Sequence, residues 1–252
     1  HVDNNAYTNV MARWNIQAAF EVLEWLRTEY PERAIALENE LDLNADRLAH
    51  WREVIQRTYI PYDPDTGLFE QFDGFFDLKD VDLQDYEPRS KSLQVVLGLE
   101  GVQEYQIIKQ PDVLMMLFLL RAEFSQEVIE ANWDYYTPRT DLTYGSSLGP
   151  ATQATLAARM GEVDRAYHHF MHASQTDLED VRGNAGDGIH AASAGGLWEA
   201  LVFGFAGLHA DETGLSFDPK LPAHWNRLAF SITYRGEQRW VDLREKMDEG
   251  ET

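Results

Sequence analysis

The stretch that most constrains this chain is Gly186-Asp-Gly-Ile-His190-Ala-Ala-Ser-Ala-Gly-Gly-Leu-Trp-Glu-Ala-Leu-Val-Phe-Gly-Phe-Ala-Gly-Leu208. Glycines open a loop, one His follows, and small residues then alternate with large apolar ones at helical spacing. That pattern describes a buried helix packed closely at its start. His190 stands at the mouth of the helix, where unpaired N–H groups and a partial positive charge favour an anion or a polarised sugar oxygen. The residue type alone leaves a second reading open, a core His bonded to a neighbouring carbonyl.

A helix of this kind needs a large partner surface, and the chain can supply one. Its 252 residues are 44% hydrophobic and include seven Trp, enough for one large domain or a large domain with an appendage. Lys and Arg number 21 against 43 Asp and Glu, and a net charge of -22 argues against nucleic acid or an anionic membrane as partner. The longest apolar run, residues 113–120, falls well short of the ~20 residues a membrane-spanning helix needs. With no Cys, disulfides and thiolate metal sites are out. The first residue is His1 and not Met, which reads as a processed chain or a fragment.

Apolar periodicity predicts helices over 6–28, 44–59, 113–122, 125–136, 150–160 and 162–174, before the His190 helix. Residues 60–105 read as irregular, with turn signals and the aromatics Phe69, Phe72, Phe75 and Phe76. Polar clusters precede several helices. Asp3, Asn4, Asn5, Thr8 and Asn9 either cap the first helix or line a sugar pocket, and composition favours capping. Lys109-Gln110-Pro111-Asp112 leads into the apolar helix, and 137–150 is dense in hydroxyls. Beyond 208, period-two alternation over 214–219, 228–236 and 239–243 predicts strands, with a hairpin at Arg235-Gly236-Glu237. Stacked helix pairs followed by a small β appendage is the expected architecture.

Five segments, in this order, resemble glycoside hydrolase family 65: His1–Asn9; Lys109-Gln-Pro-Asp-Val113; Pro138-Arg-Thr140 with Gly145-Ser-Ser-Leu148; Gly188-Ile-His-Ala191 through Gly204-Phe205; and Leu221-Pro222 with Trp225. The resemblance implies a mainly α chain, with residues 1–208 forming the C-terminal portion of an (α/α)6 barrel and 209–252 the start of a C-terminal β domain. It implies an inverting phosphorylase of α-linked glucose disaccharides such as maltose, trehalose or kojibiose. Phosphate is then the co-substrate, β-glucose 1-phosphate the product, and no metal or other cofactor takes part. Lys109 and Gln110 would hold hydroxyls of the cleaved glucosyl unit, while Ser146, Ser147 and His190 would bind phosphate. The general-acid Glu is expected just upstream of His1.

Where phosphorylases of the family carry a His just before the paired serines, this chain has Thr143 and Tyr144 and two extra loop residues. A cytoplasmic enzyme, homodimeric at full length, completes the expectation. The alternatives are a hydrolase of the same family with Asp141 as base, and a non-catalytic fragment that needs its N-terminal complement to fold.

Overall fold

The computed structural model describes residues 2–181 and 183–244, which form two compact units. One comprises residues 1–79 and 115–132, the other 80–114 and 133–252, so the boundary falls within helices α6 (Asp112–Leu119) and α7 (Gln126–Tyr136). No described helix is long and apolar enough to cross a membrane.

The first unit is led by α1 (Ala6–Glu29), α2 (Pro31–Glu40) and α3 (Ala45–Arg57). Asn5 caps α1 by accepting from the Thr8 amide at 3.0 Å, and Asn44 caps α3 through the Arg47 amide at 2.9 Å. Helix α2 is absent from the sequence-based expectation because Tyr30-Pro31 reads as a stop. Pro31 both ends α1 and occupies the first position of α2, where its missing N–H costs nothing. Arg27 bridges the two helices to Glu38 at 2.7 Å, and Phe20 meets Trp51 of α3 edge-on at 6.1 Å. Strands β1 (Tyr62–Asp63) and β2 (Leu68–Phe69) form a short ribbon. The fully buried Asn132 fastens it, accepting from the Phe69 amide at 3.0 Å and donating to the Gly67 carbonyl at 2.8 Å.

In the second unit, short turns of helix at α4 (Leu93–Val96) and α5 (Gly98–Gly101) occupy the segment read as irregular. Its framework is α8 (Leu148–Arg159), α9 (Val163–Leu178) and α10 (Ala191–Glu199), the last continued by a π-helical segment Ala200–Phe205. Helix α8 begins two residues before the expected start, with Pro150 in the first turn, where no amide donor is needed. Helix α9 runs to Leu178, four residues beyond the expected end.

The contacts fix the direction of packing. The Ser193 hydroxyl donates to the Ser147 carbonyl, a Cβ on Gly196 would sit 2.7 Å from the Ala151 Cβ, and Gly204 backs onto Thr155 and Ala158. Positions rise together on both helices, so α8 and α10 run parallel, with α9 returning antiparallel against them. Small residues at 151, 196 and 204 allow this close approach.

The end of this framework carries the strands. Antiparallel β3 (Leu208–Ala210) and β4 (Leu215–Phe217), and the hairpin of β5 (Arg227–Tyr234) and β6 (Glu237–Arg244), share a core made of Val202, Ala206, Leu208, Phe230 and Val241. Arg235 and Gly236 turn the hairpin with φ of 50° and 81°, the positive pair a tight two-residue turn requires. The expected strands after 208 are therefore present, joined by β3.

Candidate functional site

Parallel packing of α8 and α10 sets two helix N-termini side by side. Each brings the partial positive charge of a helix start to the same end of the second unit, although the first amides of α8 are already taken, that of Gly149 by the Ser146 carbonyl at 3.1 Å. The residue at the mouth of α8 is Ser147, and the residue at the mouth of α10 is His190. Neither side chain caps its own helix. The Ser146 hydroxyl accepts from the Leu148 amide at 3.2 Å.

The Lys109 loop is zipped onto the same place by backbone bonds. Ile108 bridges in parallel to Thr140, its amide donating to the Arg139 carbonyl and its carbonyl accepting from the Asp141 amide, both at 2.8 Å; the Ser146 amide then donates to the Lys109 carbonyl at 2.9 Å. Only glycine fits at 145, since a Cβ there would lie 1.9 Å from the Asp141 carbonyl oxygen and 3.3 Å from that of Lys109. Lys109 and Gln110 are exposed beside this junction. Ser193 lies one helical turn beyond His190 and is bonded to Ser147 at 3.0 Å. The structure thus gathers all five candidate residues, Lys109, Gln110, Ser146, Ser147 and His190, at one end of one unit.

His190 is partly exposed and held by a residue the sequence reading did not single out. Asp177, in the last turn of α9, accepts from the His190 backbone amide at 2.7 Å and lies 2.5 Å from its Nδ1. The core-histidine reading does not hold, because the partner is a carboxylate at the solvent edge and not a buried carbonyl. Periodicity ends α9 at 174 and so places Asp177 in a loop, whereas the helix runs on to Leu178.

Asp141, the candidate base of the hydrolase reading, is fully engaged. Both its oxygens meet the Arg89 guanidinium, and one also accepts from the Thr143 and Tyr144 amides at 3.1 and 3.0 Å. The pair is buried, with side-chain exposures of 5% for Arg89 and 6% for Asp141. Burial pulls the Arg89 pKa down, but its bonds to Asp141 and Glu87 outweigh that and hold it above the ordinary value. A carboxylate so committed shapes the loop.

Asn4, Asn5 and Asn9 turn out to be structural. Asn5 caps α1, Asn4 donates to Asp73 at 2.6 Å, and Asn9 donates to the Tyr59 carbonyl at 2.9 Å. His1 and residues 245–252 lie outside the described residues. Among the described residues, no cluster of three or more His, Asp or Glu side chains is arranged to hold a metal ion.

Paired helix mouths carrying Ser and His beside a Lys-Gln loop define a site suited to an anion and a hydroxyl-rich ligand. Comparison with known proteins gives that class a family. Residues 1–199 match the glycosyl hydrolase family 65 central catalytic domain, and residues 208–246 match the C-terminal domain of the same family. The chain belongs to glycoside hydrolase family 65.

A kojibiose phosphorylase of Thermoanaerobacter brockii is 40% identical over 94% of this chain and 30% of its own length. The α,α-trehalose phosphorylase of the same organism is 36% identical over 96% of this chain and 31% of its own. A solved structure of a candidate kojibiose phosphorylase from human microbiome superposes with a TM-score of 0.85 at 32% identity, covering 96% of this chain and 33% of that one. The chain therefore spans about a third of the length of the relatives it matches.

Proposed function

We propose that this chain carries the phosphate-binding part of an inverting α-glucoside phosphorylase. The observation that carries the reading is the meeting of two helix N-termini, one fronted by Ser146-Ser147 and the other by His190, with the Lys109-Gln110 loop bonded alongside. Hydroxyls and an imidazole, set in the partial positive charge of two helix starts, suit inorganic phosphate. Lys109 and Gln110 hold hydroxyls of the glucosyl unit.

In this mechanism an acid protonates the glycosidic oxygen while phosphate attacks the anomeric carbon from the opposite face, through an oxocarbenium-like transition state. Phosphate brings its own nucleophilic oxygen, so the protein supplies a cradle in place of a carboxylate base. The commitment of Asp141 to Arg89 agrees with this and disfavours the hydrolase alternative. The acid is a Glu immediately upstream of His1, and the helices belong to an (α/α)6 barrel completed by sequence outside this chain. A phosphorylated product is retained by cells, which supports a cytoplasmic enzyme; the family resemblance is the support for a homodimer at full length.

Relatives act on kojibiose, trehalose, maltose and nigerose, as their names state. These four disaccharides are therefore the panel to test with the full-length protein. Glucose 1-phosphate of β configuration should form from at least one of them, and only with phosphate present. Equal release of glucose with and without phosphate would contradict the proposal.

A further inference from the structure

The carboxylate behind His190 has no part in the function proposed above, yet its geometry is specific. Its two oxygens take two different donors of one residue, Oδ2 from the backbone amide at 2.7 Å and Oδ1 from Nδ1 at 2.5 Å. A carboxylate only accepts, so Nδ1 carries a proton and Nε2, across the ring, is the nitrogen not bonded to Asp177. Both side chains are 24% exposed, which puts the pair at the rim of the site and not in the core. Thirteen residues separate the partners. They meet because α9 runs back against α8 and α10, bringing its C-terminal turn to the end where α10 begins.

We propose that Asp177 is a positioning residue of the phosphate site, fixing the ring plane and the Nδ1–H tautomer of His190 so that Nε2 meets the anion. This rests on the phosphate-cradle reading of the site. With Nδ1 held, an imidazolium donates Nε2–H to a phosphate oxygen, and a neutral ring accepts there from a P–OH group. No bond to Asp177 changes in either case. Both oxygens are needed: an amide at this position has one acceptor, so its NH2 would oppose either the His190 amide or Nδ1–H. A plain loop anchor would need only the backbone bond, and the second, ring-directed bond is what sets this carboxylate apart.

The test is a double-mutant cycle in the full-length enzyme with Asp177→Asn, His190→Ala and the pair, reading the Michaelis constants for inorganic phosphate and for the disaccharide separately. Asp177→Asn should raise the phosphate constant about tenfold or more and leave that for the disaccharide within about twofold. In the His190→Ala background it should add almost nothing, because it acts through the ring. Asp177→Glu, which keeps both acceptor oxygens, should recover part of the loss and gives a second reading if the Asn variant folds poorly. Fully additive effects, or an unchanged phosphate constant in Asp177→Asn, would overturn the role of Asp177 while leaving the phosphorylase reading intact. A wild-type enzyme that turns over without phosphate would instead overturn the reading of the site.

Discussion

Helices α1 and α8 bury their residues to opposite extents. Of the 24 residues of α1, three are buried, and Trp14, Val22 and Trp25 stand 39%, 54% and 54% exposed. Of the 12 residues of α8, ten in unbroken succession are buried. Helix α1 has the longer apolar pattern, whereas α8 is mostly Ala, Thr and Gly. Small residues let neighbouring backbones close in all round, and such packing holds the N-terminus of α8 against that of α10. The site therefore stands on the helix with the weaker apolar pattern, and its precision should depend on packing around α8 far more than on the surface of α1.

The largest expected effect comes from Gly196→Val. The new Cβ would start 2.7 Å from Ala151, so α8 and α10 must separate, at a cost of about 3 kcal/mol. Phosphate turnover should fall with stability, measured by chemical denaturation and steady-state kinetics of the full-length protein. Retention of both would mean the helices are not in close register.

Next is a pH effect on α9. His169 on α9 is buried against Trp133, and its pKa is lowered to about 4 by burial first and then by the charges of His168, Arg165 and His172. The folded state thus resists a proton that the unfolded chain accepts near pH 6.5. Stability is full above that value and falls as pH drops towards 4, by an amount on the order of 3 kcal/mol. His169→Phe should flatten that part of the stability–pH profile, and an unchanged slope would contradict the account.

The smallest effect belongs to α1. Val22→Gln should change stability by no more than about 0.5 kcal/mol, since 54% of the residue is exposed. A cost above about 1 kcal/mol in the full-length protein would show that another part of the enzyme covers this face.

Much of this was legible in one dimension. The spacing of Val10, Trp14 and Leu23 gives α1, the alternation from Leu228 to Leu243 gives the hairpin, and glycines followed by His190 mark a helix mouth. Other features were hidden for physical reasons. Helix α2 has only four apolar side chains after its opening proline, set between charged ones, and that proline is a residue that also stops helices. The parallel setting of α8 and α10 arises from contacts such as Gly196 with Ala151, 45 positions apart, and periodicity carries no such information. Asp141 drew attention as the carboxylate of the hydroxyl-rich loop, but its buried partner Arg89 is 52 residues away, and no local pattern joins them. Asp177 is similar: an Asp near a helix end is unremarkable until the chain turns back and sets it against His190.

The central claim is that the paired helix mouths bind the attacking phosphate. The most direct measurement is the Michaelis constant for phosphate in Ser147→Ala and His190→Ala forms of the full-length enzyme, compared with the constant for the disaccharide. The account predicts a rise of about tenfold or more for phosphate in each variant, with the disaccharide constant nearly unchanged. A loss confined to the disaccharide, or no change for phosphate, would contradict it.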